Sequence, residues 1–170
     1  MKKLIYVLVA FVFLLGCGYK FNGASIPPQM KTVNVEYFEN NAPLVVPTLS
    51  QQLTEDLKER IRNQSKLSIT PNNPDAIFTG TITGYEIKPI AIQDNQNPIA
   101  GANRLTITIS VQYTNNVDTA NAKASFKETF TAFTDFSLAG QTLQSQEQAL
   151  IRRVNTQLTE NIFNRAFAQW

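Results

Sequence analysis

The chain predicts an α+β domain in which two helices pack on one face of a four-stranded mixed sheet, in the order β-α-β-β-β-α. Three observations lead there. Apolar residues recur at every fourth position in two separate stretches, Leu49, Leu53, Leu57 and Ile61, then Leu150, Val154, Leu158 and Ile162. That is the spacing of a helix with one buried stripe. Between them Leu105, Ile107, Ile109, Val111 and Tyr113 alternate with Thr106, Thr108, Ser110, Gln112 and Thr114, the pattern of a strand with one buried and one solvated face. One-striped helices and a sheet with one apolar side satisfy each other when both helices cover the same side.

Taken in order, the first strand is expected over 32–38, where Val33, Val35 and Tyr37 share a phase before the turn residues Asn40-Asn41-Ala42-Pro43. Pro47 suits a helix start, and the first helix is expected over 47–64 with Gln52, Glu55, Glu59 and Arg62 facing water. A second strand begins near Leu67, is interrupted at Pro71-Asn72-Asn73-Pro74, and resumes over 76–88; Gly80 and Gly84 inside it predict a bulge, a bend or a close backbone approach. A connection of about fifteen residues, 89–103, is long enough to be functional. The alternating strand follows, then a turn-rich stretch over 115–121, then a strand over 124–136 in which Phe126, Phe130, Ala132 and Phe136 share a phase that Phe133 breaks, predicting a bulge. The second helix is expected over 142–168, its stripe joined by Ala149, Phe163, Ala166 and Phe167. The first crossover is expected to be right-handed and the later strands to form antiparallel hairpins.

The N-terminus carries a separate signal. Lys2-Lys3 precede an uncharged apolar run from Leu4 to Leu15, then Gly16 and Cys17. This reads as a secretory signal, and the run is short for a membrane span. Leu14-Leu15-Gly16-Cys17 resembles the bacterial lipobox. The likeness implies cleavage before Cys17 and a covalent N-acyl and S-diacylglycerol lipid on it, the only non-protein group expected. A secreted protein with a chance cysteine is the alternative. The expected organisation is a signal peptide over 1–16, a lipidated tether over 17–31 and one domain over 32–170. At full stretch, fourteen residues of tether reach roughly 45 Å, so the anchor alone leaves orientation open.

Composition narrows the chemistry. Removing 1–16 takes Lys2 and Lys3 from the 15 basic residues and none from the 13 acidic ones, so the remainder is formally neutral. No positive excess argues for nucleic acid. Cys17 is the one cysteine and histidine is absent, which removes intramolecular disulfides and the nucleophile systems and zinc sites that depend on histidine. Glu55, Asp56 and Glu59 stand on a helix face that offers no facing pair across a cleft, as glycosidic chemistry requires. The protein is expected not to be an enzyme.

Two surfaces stand out. Thr106, Thr108, Ser110, Gln112 and Thr114, with Thr83, Thr129 and Thr131 as expected neighbours, would form a polar face nearly free of charge. Such a face is either ordinary solvated sheet or a partner-binding surface suited to a polar β-barrel lumen. Lys88 and Arg104 bracket the 89–103 connection, and if they meet at a hairpin end they can bind phosphate or carboxylate. Lys58, Arg60, Arg62 and Lys66 read as a solvated face balanced by Glu55 and Glu59. Asp118-Thr119-Ala120 resembles an O-glycosylation acceptor in an exposed turn.

Cys17-Gly18-Tyr19-Lys20-Phe21-Asn22-Gly23 resembles the start of the LptE family of outer-membrane lipopolysaccharide-assembly lipoproteins. Ser25-Ile26-Pro27-Pro28, Lys31-Thr32-Val33, the Phe38–Pro47 turn, Leu49–Glu55, Asn103–Ile107 and Phe163–Trp170 extend the likeness toward the family's Bacteroidetes branch. The resemblance implies two helices on a four-stranded sheet, a domain that plugs an LptD-like outer-membrane β-barrel, and contact with lipopolysaccharide. Lys88 and Arg104 are the candidate glycolipid contacts from the hairpin argument, not from the family. Gly18 after the lipidated cysteine implies the periplasmic side of the outer membrane. A free-standing periplasmic lipoprotein that binds an amphiphile or another envelope protein shares all these compositional features.

Overall fold

The computed structural model describes residues 26–90, 102–118 and 124–168. Its elements run β1 (Thr32–Val35), β2 (Glu39–Asn40), α1 (Leu49–Gln64), β3 (Ser68–Ile69), β4 (Ala76–Pro89), β5 (Ala102–Asn115), β6 (Phe126–Ser137) and α2 (Leu143–Phe167). The architecture is α+β, but the sheet has six strands where four were expected. Its order is β3-β1-β4-β5-β6, with β2 also paired to β4.

Both extra strands come from breaks in expected ones. β1 runs parallel to β4 at 76–78, and β2 runs parallel to it at 81–82, so the two lie end to end along one neighbour. Phe38 separates them. Its backbone N–H donates 3.1 Å to the buried Thr54 Oγ1 on α1 instead of to the sheet, and Thr54 passes its own proton to Ser50 O at 2.7 Å. The Phe38 ring is fully buried against Gly80, where any Cβ would overlap it. Tyr37, expected on the apolar side, is 59% exposed because the strand ends at Val35. β3 pairs with the opposite side of β1 from β4, so the stretch expected to be one interrupted strand crosses from one flank of β1 to the other. Asp75 secures that crossing, accepting from the Lys31 and Thr32 N–H groups at 2.7 and 2.9 Å, while its own N–H donates to Thr32 Oγ1 at 3.0 Å.

β4, β5 and β6 form an antiparallel meander. The β4–β5 register shifts between Ile82 and Gly84, so Thr83 is the extra residue of a bulge, as the glycines implied. The bulge changes the parity of the strand. Ala76, Phe78 and Ile82 point to the core before it, and Tyr85 and the half-buried Ile87 after it. The β4–β5 pairing extends to Pro89 and Asn103, with Ile90 N–H donating to Ala102 O at 2.9 Å. The long connection is therefore narrower at its neck than 89–103, and residues 91–101 lie outside the described region.

Both helices cover the same face. Leu49, Leu53, Leu57 and Ile61 from α1, and Leu150, Val154, Leu158, Ile162, Phe163 and Phe167 from α2, join the inward strand residues in one core. Ala149 is exposed. Phe167 packs edge-on against both Phe78 and Tyr113, and Thr142 Oγ1 caps α2 by accepting from Ser145 N–H at 3.3 Å. No helix of the described residues is long and apolar enough to cross a membrane.

Candidate functional site

The face of the sheet away from the helices is built by the three long strands, and their register fixes its rows. From one end, Thr79, Gln112 and Lys127 stand side by side, then Thr81, Ser110 and Thr129, then Gly84, Thr108 and Thr131, then Glu86, Thr106 and Phe133, then Lys88, Arg104 and Asp135. The inward partners of these residues, such as Leu105, Ile107, Ile109 and Val111, are fully buried. All five expected face residues therefore share the outer side, with Thr114 opposite Ile77 beyond the first row. On the three long strands charge stands at Lys127 in the first row and at Glu86, Lys88, Arg104 and Asp135 in the last two, while Glu39 of β2 lies beside Thr81 in the second. The middle rows offer hydroxyls, which bond within the sheet at Thr108–Thr131 (3.2 Å) and Thr83 to Thr108 O (3.3 Å).

Lys88 and Arg104 meet directly across the β4–β5 ladder, as the hairpin argument required. Neither is unpaired. Lys88 Nζ contacts Glu86 Oε2 at 2.5 Å, yet the lysine side chain stays 72% exposed. Arg104 forks onto Asp135, Nε to Oδ1 at 2.7 Å and Nη2 to Oδ2 at 2.9 Å, and its guanidinium carbon lies 3.9 Å from the centre of the Phe133 ring. The guanidinium holds the Asp135 carboxyl below the usual carboxylate range. Phe133 is thus no bulge: the β5–β6 register is continuous, and the ring lies on the outer face. Sequence reading missed Phe133 and Asp135 as members of this tip. The signal was their shared odd-numbered phase with Thr129 and Thr131.

At the other end of the face a groove of about 280 Å³ is lined by Glu36, Tyr37, Glu39, Thr79, Gly80, Thr81, Ser110, Gln112 and Lys127. A second hollow of similar volume lies between the helices, against Asp56, Glu59, Arg60, Asn63, Gln64, Arg152, Thr156 and Thr159. Burial pushes the Asp56 carboxyl up, partly offset by a 3.2 Å hydrogen bond from Asn155 Nδ2. Arg60 donates to Thr159 Oγ1 and Thr156 O, both at 3.0 Å. Glu55 is tied to Lys58 at 2.8 Å. The acidic residues of α1 therefore serve helix surface and seam. Among the described residues no group of three or more His, Cys, Asp or Glu could hold a metal ion. Cys17, the tether up to residue 25, and Thr119-Ala120 lie outside the described residues.

Comparisons with known proteins agree on the fold. Rare lipoprotein B from Shewanella oneidensis is similar at 12% identity, over 79% of this chain and 92% of its own, with a TM-score of 0.51. A protein from Xanthomonas campestris is similar at 13% identity, over 82% and 87%, with a TM-score of 0.52. A hypothetical protein from Chlamydia trachomatis is similar at 10% identity, over 80% and 98%, with a TM-score of 0.51. No curated protein matches the chain. The model of the LptE lipopolysaccharide-assembly family matches residues 30–166, which include every strand of the sheet, almost all of α2 and both ends of the polar face. The chain belongs to the LptE lipopolysaccharide-assembly family.

Proposed function

We propose that the protein is a non-enzymatic, lipid-anchored subunit of lipopolysaccharide assembly on the periplasmic side of the outer membrane. Cys17 carries the acyl anchor, and two or three acyl chains at about 0.8 kcal/mol per buried methylene are enough for stable retention. The outer sheet face, with Thr106, Thr108, Ser110, Gln112 and Thr114 at its centre, lies against the inner wall of an LptD-like β-barrel. The tip formed by Lys88 and Arg104 stands near the glycolipid.

One observation carries this reading: in the second and third rows of a broad sheet face the three long strands hold only hydroxyls and Gly84, and the charge beside them is Glu39 of β2. Facing a polar barrel wall, such a surface forms hydrogen bonds in many registers without the cost of desolvating ions. At the tip, Arg104 is already forked by Asp135, so Lys88 is the cation freer to meet a phosphate.

Affinity purification of the native protein from detergent-solubilised membranes tests the proposal. A large β-barrel is expected to copurify in stoichiometric amount, and Ser110→Glu, a charge placed in the middle rows, is expected to lose it while leaving folding stability within about 0.5 kcal/mol. Recovery of the native protein without a barrel overturns the plug reading in favour of a free-standing amphiphile-binding lipoprotein.

A further inference from the structure

The two helices meet along a seam of polar pairs. Thr48, at the start of α1, and every fourth residue after it, Gln52, Asp56 and Arg60, face α2. Gln148 Nε2 donates to Thr48 Oγ1 at 3.2 Å, Gln52 Nε2 to Gln148 Oε1 at 2.7 Å, Asn155 Nδ2 to Asp56 Oδ2 at 3.2 Å, and Arg60 Nε to Thr159 Oγ1 at 3.0 Å. One pair is half made. Asn155 is fully buried, and among the described residues its Oδ1 accepts no hydrogen bond. A buried carbonyl oxygen without a donor is unfavourable.

The other arm of the same amide is already bonded to Asp56, whose protonation state decides whether a donor exists. An ionised carboxylate only accepts, whereas a carboxylic acid offers one O–H and keeps an accepting oxygen. Acid and carboxamide are then complementary edge to edge, the acid O–H meeting the amide oxygen and the amide N–H meeting the acid carbonyl. We propose that Asp56 and Asn155 form a proton-operated catch between the helices: with a proton on Asp56 the two side chains close a ring of two hydrogen bonds, and without it Asn155 Oδ1 has no donor. Asp56 is half-buried on the wall of the hollow between the helices, so solvent protons reach it. The charged groups around it are Glu59 and Arg60 on α1 and Arg152 on α2. Burial raises its carboxyl above the ordinary value and Glu59 adds to the rise, against the Asn155 hydrogen bond and the two arginines; the net direction is upward. A carboxyl raised in this way holds more protons folded than unfolded. Its contribution to stability is full below the ordinary carboxylate value and is lost as pH rises through the folded one, the opposite sense to Asp75. The catch lies in the helix layer and the barrel reading uses the far face of the sheet, so the two stand or fall separately.

Carbon NMR of the full chain in detergent micelles, with isotope-labelled aspartate and asparagine, tests the catch. Asp56 Cγ is expected to titrate above the ordinary carboxylate range. Asn155 Cγ is expected to move downfield with the same midpoint as pH falls, because its oxygen gains a donor; burial of Asp56 alone would not bring that second signal. Arg152→Gln, at an exposed position, is expected to move both midpoints upward together. Asp56→Asn supplies an amide donor at every pH. It is expected to unfold at a higher urea concentration than the native protein at neutral pH, and the gap should close as pH falls through the Asp56 midpoint. An Asp56 that titrates at or below the ordinary value, an Asn155 Cγ that stays still while Asp56 titrates, or an Asp56→Asn chain no more stable than the native one at neutral pH overturns the proposal.

Discussion

Replacing Gly80 by alanine measures how tightly the break between β1 and β2 is built. A Cβ on residue 80 falls on the edge of the Phe38 ring, against Cε1, Cδ1 and Cζ. That ring is fully buried and its own backbone is pinned to Thr54, so it has no exposed rotamer to adopt. Alanine in a strand gains about 0.5–1 kcal/mol over glycine from backbone entropy. Overpacking a filled core costs about 1–3 kcal/mol, and expelling the ring approaches the roughly 3–5 kcal/mol of deleting a buried phenylalanine. The expected balance is a loss of about 1–2 kcal/mol, a large part of the 5–15 kcal/mol that holds a domain of this size. Urea unfolding should show it as a lower midpoint at unchanged slope. Phe38→Leu makes room for the new methyl, so Gly80→Ala combined with Phe38→Leu should be less destabilised than the two single changes add up to, by about 1 kcal/mol. A neutral or stabilising Gly80→Ala, or strict additivity in that cycle, would refute the assignment of Gly80 as the seat of Phe38.

Two further outcomes follow from the same corner of the fold. Thr54→Val keeps the shape but removes the acceptor for the buried Phe38 N–H, and is expected to cost about 1–3 kcal/mol in urea unfolding, with Thr54→Ser losing less. Asp75 should give the sheet a specific acid sensitivity. Hydrogen bonds from the Lys31 N–H, then from the Thr32 N–H and hydroxyl, hold its carboxyl below the ordinary value. A group with a depressed folded pKa contributes stability above its unfolded pKa and loses it as pH falls through the folded one. The difference in urea midpoint between the native protein and Asp75→Ala should therefore be full at neutral pH and shrink below the ordinary carboxylate range; a pH-independent difference would rule the linkage out.

Long periodic elements were legible in the residues. The first helix was expected over 47–64 and spans Leu49–Gln64. The alternation from Leu105 to Thr114 placed the five β5 residues of the polar face on its outer side, and the hairpin argument put Lys88 opposite Arg104. The sheet's edges were not legible, because β2 and β3 have two residues each and no period can be read from two. The break at Phe38 depends on a hydrogen bond from a helix 16 residues away, which local pattern does not contain. Phe133 was misassigned because an aromatic in a strand invites a core position, whereas here Arg104 lies over it on the outer face. The lipobox-like motif at Cys17 is read from the sequence alone and lies outside the described residues.

The extra residue at Thr83 sets where the strand can change length. Removing it would close the bulge and leave Ile82 and Tyr85 facing the core, Gly84 between them, with both faces intact. Removing one residue of β4 outside the Thr83-Gly84 pair would turn over everything on one side of the cut, exposing Tyr85 or burying Lys88. A one-residue deletion at the bulge is therefore expected to leave the urea midpoint closer to that of the native protein than a deletion elsewhere in β4.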